Sequence, residues 1–272
     1  MEGHKELLER FLNIPVSCSD TLFEMFAALP RARYGKGEKP LQRFVYVPGT
    51  RKDRVLLVAH ADTVWDENYV APVKHEVAYD ERGWFYSAVP DAGIGADDRA
   101  GCAVLWALRD SGHSLLIVDG EEHGKIGAAY IRKNLPRLFG ELNRHRYMIQ
   151  FDWAMTDICL YNHVNITPKF ERYIEQQLGF FDYKVKGTCD LVILCRNICG
   201  VNLGVGYRQI HVPEERLVLA DWEHTYQIVS EHLKKPQKRF PTSWKKRAKQ
   251  AWHWAVAFPG KIIGKIGRIV KR

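Results

Sequence analysis

His60 and Asp62 stand two residues apart at the tip of an apolar run, VLLVAHADTVWD (55–66). Further along, GIGADDRAG carries Asp97 and Asp98, VDGEEHGKIGA carries Glu121 and Glu122, IQFDWA carries Asp152, and GYRQIHVPEERL carries His211. Imidazole with carboxylate is the ligand set expected of zinc, and two metals sharing one carboxylate suit this number of groups. Brought together without a cation, so many carboxylates would repel one another strongly. Taken singly, each has an ordinary explanation. Asp97 and Asp98 can cap a helix, a Glu-Glu pair can be solvated, and a lone His211 can be a satisfied polar side chain.

What would bring them together is a parallel sheet. Segments 54–60, 114–120, 147–152, 190–195 and 200–206 are short apolar runs that read as buried strands. Segments 97–112, 124–139, 167–179 and 215–235 read as helices. Strands alternating with helices predict an α/β three-layer sandwich, with a mostly parallel central mixed sheet flanked by helices. His60, Glu121, Glu122 and Asp152 then all fall at C-terminal ends of strands, the edge where open α/β sheets bind ligands. Period-two alternation turns Asp62 to the same side as His60, where it can accept the second imidazole N–H.

The chain of 272 residues is 46% hydrophobic, enough for one large core, and wholesale disorder is excluded. Its opening, MEGHKELLERFLNI, reads as an amphipathic helix rather than a secretory leader, and no apolar run reaches the length of a membrane span. Six scattered cysteines without a C-x-x-C pair read as reduced buried thiols, which places the protein in the cytoplasm. The net charge of +8 is unevenly spread. From Lys234 to Arg272 there are 13 basic and no acidic residues; elsewhere 27 basic residues face 32 acidic ones, leaving −5. The expected organisation is therefore a catalytic domain over 1–235 and a basic amphipathic extension over 236–272.

The ordered set H-x-D, A-D-D-R-A-G, E-E-H-G-x-x-G-A, a strand ending in Asp, and H-x-P-x-E resembles the co-catalytic dizinc exopeptidases. That superfamily includes peptidase T, the aminoacylases and the leucyl aminopeptidases, and the likeness runs from about residue 54 to 216. The resemblance implies that His60 and Asp152 bind one zinc, that Glu122 and His211 bind the other, and that Asp97 bridges them. It further implies that Asp62 orients His60 and that Glu121 is the general base. Cobalt and manganese are alternatives to zinc. Asp98 and Arg99 read equally well as catalytic groups or as a helix cap and a surface ion pair, and Tyr207 and Arg208 as substrate contacts or as structure. The lid or dimerisation domain that peptidase T and the aminoacylases insert between the Asp ligand and G-T-x-D has no room here, because Asp152 is followed by GTCD at 187–190. A compact zinc-dependent aminopeptidase acting on small peptides is the expected function. An N-acyl-amino-acid amidohydrolase or a carboxypeptidase is the alternative within the superfamily, and a metal-stabilised membrane-associated binding module the alternative outside it.

The tail sets Ile262, Ile263, Ile266, Ile269 and Val270 against Lys261, Lys265, Arg268 and Lys271, with Trp244 and Trp252 upstream. This is the pattern of a cationic interfacial helix, and an anionic membrane surface is the expected partner of residues 243–272. Packing on the body or on another subunit comes next, and nucleic acid last, since no base-reading motif accompanies the charge.

Overall fold

The computed structural model describes residues 3–242 apart from 69, 72, 162, 163, 165, 185 and 186. The amphipathic helix expected within 243–272 lies outside the described residues.

The strands are β1 (Arg33–Lys36), β2 (Arg43–Val47), β3 (Leu56–His60), β4 (Val77–Tyr79), β5 (Trp84–Ser87), β6 (Ser114–Val118), β7 (Met148–Trp153), β8 (Ile158–Leu160), β9 (Phe181–Asp182), β10 (Gly200–Gly204), β11 (Tyr207–Arg208) and β12 (Arg216–Val218). The helices are α1 (His4–Leu12), α2 (Asp20–Ala27), α3 (Ala96–Ala107), α4 (Ile126–Asn134), α5 (Pro136–Leu142), α6 (Pro168–Leu178), α7 (Leu191–Leu194) and α8 (Leu219–Lys234). Eight strands form one sheet in the order β1-β2-β6-β3-β7-β10-β8-β9, and β11-β12-β5-β4 form a small second sheet. The inner strands β6, β3, β7 and β10 run parallel, whereas β2 and β8 flank them antiparallel.

Strand alternation divides the core into two layers. Leu57, Ala59, Leu115, Ile117, Ile149 and Phe151 pack with Phe11, Ala100, Val104, Phe170 and Trp222, on the side of α1, α3, α6 and α8. Leu56, Val58, Leu116, Val118 and Met148 pack with Ala128, Ile131, Phe139, Leu142, Leu191 and Leu194, on the side of α4, α5 and α7. This is the expected three-layer α/β sandwich. Two glycines set how closely the layers meet. A Cβ at Gly101 would lie 2.1 Å from the Phe151 carbonyl oxygen, and one at Gly127 2.6 Å from that of Asp119. The glycines in A-D-D-R-A-G and E-E-H-G-x-x-G-A are thus needed for helices α3 and α4 to dock against strand ends.

Three expectations are corrected. Segment 190–195 is the short helix α7 rather than a strand: the Leu194 N–H donates to Asp190, and that of Cys195 to Leu191. Its Leu191, Leu194 and Cys195 are buried at helical spacing, which an uninterrupted apolar run cannot distinguish from a strand. Segment 124–139 is two helices, broken at Leu135 (φ −120°, ψ 62°) because the residue before Pro136 is barred from helical backbone. Segment 215–235 starts as strand β12 on β5 before α8 begins. The body also continues past the expected boundary at Lys235. Phe240 is buried against Tyr147, Phe170 and Tyr173, and its carbonyl accepts the Cys199 N–H. All six cysteines are free thiols, five of them buried. No described helix is long and apolar enough to cross a membrane.

Two buried histidines link the core to acid stability. His145 faces the Leu142 carbonyl (2.9 Å) and the Ser114 hydroxyl (2.8 Å), and His232 faces the Tyr147 hydroxyl at 2.8 Å. Burial pushes both down to about 4 from the ordinary 6.5. Between those values the unfolded chain holds a proton that the folded chain refuses. Stability is therefore complete above pH 6.5 and falls as pH drops towards 4, by roughly 3 kcal/mol per histidine. His145→Gln should flatten the dependence of unfolding free energy on pH across this window relative to wild type. All other titrating groups cancel in the comparison. Equal slopes in urea titrations at pH 4.5 and 6.5 would contradict it.

Candidate metal centre

Strands β6, β3 and β7 are neighbours, so their C-terminal ends deliver Glu121 and Glu122, His60, and Asp152 to one place. Asp62, just past β3, ties these ends together. Its carboxylate accepts the N–H groups of Glu121 (3.0 Å) and Glu122 (3.1 Å). The His60 Nδ1–H donates to the Asp62 backbone carbonyl at 3.1 Å, closer than the Asp62 carboxylate at 3.4 Å. The expected imidazole–carboxylate contact is thus secondary, and the carboxylate's main work is to hold the Glu-Glu turn. With Nδ1 so engaged, Nε2 is the nitrogen left facing the carboxylates.

Asp97 comes in over the edge from the start of α3. Its Oδ1 lies 3.1 Å from His60 Nε2 and its Oδ2 3.2 Å from His211 Nε2. Asp152 Oδ1 is 3.6 Å from His60 Nε2, and Glu122 Oε1 is 2.9 Å from His211 Nε2. His60, Asp97 and Glu122 each place a ligand atom within 4.8 Å of the other two. Two groups of donors result, one around His60 and one around His211, with an Asp97 oxygen in each. His211 occupies left-handed backbone (φ 66°) and is 43% exposed, so the cluster opens to solvent on its side.

Supporting residues hold this arrangement from behind. Buried Glu215 accepts the N–H groups of Gly95 (2.7 Å) and Asp97 (3.1 Å). Asp98 accepts those of His60 (3.1 Å) and Gly101 (2.9 Å), capping the regular part of α3 while fixing the end of β3. Asn202 on β10 brackets the Asp152 backbone, accepting its N–H at 2.9 Å and donating to its carbonyl at 2.6 Å. Gln150 donates to the Asp152 carboxylate at 2.9 Å. The Tyr207 hydroxyl, buried, points at Asp152 Oδ1 from 3.4 Å. Arg99 is not in a surface ion pair. It is fully buried and donates to the carbonyls of Ala61, Pro15 (2.9 Å) and Cys18 (3.3 Å), stitching the segment after α1 to the site. Arg208 does not join the cluster; its guanidinium binds the Asp221 carboxylate and the carbonyls of Gly206 and Tyr207. Glu121 pairs with Lys125 Nζ at 2.9 Å.

The electrostatics are those of too many carboxylates in too little water. Burial, with the charge of Asp97, lifts Glu122 to about 7 and Asp152 well above the carboxylate range. The carboxylates of Asp97, which accepts its N–H, and of Glu122 beside it lift His211 to about 10. Burial works to lower His60, but Asp152, Asp62 and Asp97 outweigh it and hold it well above its ordinary value. Burial and the charge of Asp97 lift Glu215 to about 8.

A pair of divalent cations would relieve this conflict, and the donors fit one. Two ligands each about 2.1 Å from a tetrahedral ion stand about 3.4 Å apart. The four N···O separations, 2.9, 3.1, 3.2 and 3.6 Å, bracket that value. Glu122 Oε1 is buried and lacks hydrogen-bond geometry towards any described partner despite its nearness to His211. A buried carboxylate oxygen left in this way is free to ligate a cation.

Sequence reasoning passed over Gln150, Asn202 and Lys125. Gln150 lies two residues before Asp152 and so shares its face of β7, a signal that period-two alternation carries. Asn202 is a lone amide in an apolar strand. Lys125 carries no signal, because only the turn at 121–124 brings it back onto Glu121.

Fold and site together define a three-layer α/β protein with six carboxylate and imidazole donor atoms gathered at the C-terminal edge of its sheet. No family model and no curated protein matches the chain. Solved structures do. A tripeptidase from Staphylococcus aureus aligns with TM-score 0.61 at 16% identity over 86% of this chain and 98% of its own. The aminopeptidase PepT from Bacillus cereus aligns with TM-score 0.60 at 13% identity over 85% and 98%. The Pyrococcus horikoshii TET1 peptidase, which assembles into a tetrahedron or a large octahedral shell, aligns with TM-score 0.59 at 14% identity over 84% and 98%. At these identities the shared property is the fold.

Proposed function

We infer that the protein is a metal-dependent peptidase, an aminopeptidase acting on small peptides. The observation that carries this reading is Asp97, with one carboxylate oxygen on each of two histidines at the C-terminal edge of the sheet. Peptidases of the same fold support it. His60, Asp97 and Asp152 would hold one divalent ion, and His211, Asp97 and Glu122 the other, with zinc the expected metal and cobalt or manganese able to replace it. When bound, such a pair supplies Lewis acidity that acidifies a water and polarises the scissile carbonyl. Glu121 accepts the proton of the attacking water at its carboxylate and delivers it to the leaving amine. Asp62 positions Glu121 through the backbone N–H and fixes the His60 ring. Tyr207 orients Asp152 from the opposite side. A compact catalytic unit is supported by the residues between Asp152 and GTCD, which add β8, α6 and β9, two of them strands of the main sheet.

The test is hydrolysis of a panel of free and N-acetylated dipeptides by protein loaded with zinc, cobalt or manganese. Cleavage of free dipeptides that N-acetylation suppresses is the expected result. Cleavage of the acetylated set alone would replace the aminopeptidase by an amidohydrolase, and cleavage of neither would sink the peptidase reading.

Residues 243–272 bind an anionic membrane surface in this account, through basic charge and interfacial Trp. The full chain should co-sediment with phosphatidylserine vesicles and be released by salt, whereas a chain ending at Thr242 should stay in the supernatant. Equal partitioning of the two would end that proposal.

A further inference from the structure

Lys125 is the residue of the site whose chemistry the proposed reaction does not use. It follows the Glu-Glu turn in left-handed backbone (φ 61°) and begins α4. That conformation folds its side chain back onto Glu121, with Nζ 2.9 Å from Glu121 Oε1. The ammonium is neither sealed in the core nor free on the surface: the Lys125 side chain is 17% exposed and that of Glu121 9%. An ammonium has three donors, and Glu121 is the one acceptor assigned to it among the described residues. Arg208, the other cation expected near the substrate, is committed to Asp221 and to backbone carbonyls. Lys125 therefore brings positive charge to the edge of the carboxylate and imidazole cluster, beside the group that hands a proton to the leaving amine.

Covalent geometry then says what that charge can reach. In an amino acid the carboxylate oxygens lie about 3 Å from the amine nitrogen. With Nζ 2.9 Å from Glu121 Oε1, a leaving amine hydrogen-bonded to Glu121 can turn its own carboxylate into hydrogen-bond reach of Lys125 Nζ. Resting on the peptidase reading above, we propose that Lys125 forms a carboxylate-binding subsite on the leaving side. The preferred substrates are then those whose leaving group is a free amino acid, dipeptides first among them. A charge-assisted hydrogen bond from a partly desolvated ammonium distinguishes a carboxylate from an amide more sharply than a solvated one does. The pairing with Glu121 holds the ammonium in place, while the remaining donors meet the ligand.

Two measurements on the metal-loaded full chain test this. The first is the ratio of kcat/KM for alanyl-leucine to that for alanyl-leucinamide. The ratio should exceed about tenfold in wild type, fall to about one in Lys125→Met, and recover in part in Lys125→Arg. The second is calorimetric binding of leucine against leucinamide, which needs no turnover, and the free acid should bind about tenfold more tightly only where Lys125 is present. A wild-type ratio near one, or a Lys125→Met variant that loses activity on both peptides alike and keeps the ratio, would overturn the subsite. The second pattern would mean that the lysine acts only on Glu121. Tighter leucine binding that depends on Lys125, without hydrolysis of either peptide, would uphold the subsite and reject the peptidase reading.

Discussion

Glu121→Gln should leave the bound metal unchanged and lower kcat by about 100- to 10,000-fold, the range over which a positioned general base acts. The substitution is close to isosteric. It spares the backbone N–H that Asp62 accepts at 3.0 Å, so the turn carrying Glu122 stays in place. It also keeps an oxygen for Lys125, now paired as ion to amide rather than ion to ion. What it removes is the capacity to take a proton and return it. Metal content by elemental analysis and initial rates on a free dipeptide decide the matter together. Retained activity with retained metal would take the role of base away from Glu121, and lost metal would make the residue a ligand.

Asp97→Asn should cost both ions. The two Asp97 oxygens face different histidines at 3.1 and 3.2 Å, and burial is offset at this carboxyl by His211 and His60, which hold it below the usual carboxylate range. An amide in its place presents an oxygen to one side and an NH2 to the other, which turns one acceptor into a donor and removes the shared charge. A ligand change at one end would weaken one ion; a change at the shared residue weakens both. Titration of metal-free variant and wild type with zinc should show affinity at both sites falling by at least about 100-fold. Loss confined to one site would mean that Asp97 does not bridge.

Much of this is legible in the amino-acid sequence itself. Buried parallel strands are nearly continuous apolar runs, so β3, β6, β7 and β10 stand out, and polar residues at their ends are conspicuous. His60, Glu121, Glu122 and Asp152 were readable for that reason. Short antiparallel strands leave no such trace. The second sheet, whose strand β12 directly follows Glu215, is assembled from pieces such as Tyr207–Arg208 and Arg216–Val218 that carry no periodicity of their own. Segment 190–195 misled because its apolar residues are contiguous, and only packing beneath α4 decides that they coil. Arg99 misled because a buried arginine satisfied by carbonyls has no sequence signature that separates it from a surface one. Lys125 lay beyond reach for a related reason: its partner is set by one left-handed residue at a turn.

The proposed centre holds two cations through five side chains, His60, Asp97, Glu122, Asp152 and His211, and counting those cations tests it most directly. Protein stripped with chelator, reloaded at neutral pH with a slight excess of zinc, and desalted should carry about two ions per chain, falling in His60→Ala. Fewer than about one ion per chain in wild type, with His60→Ala indistinguishable from it, would contradict the account.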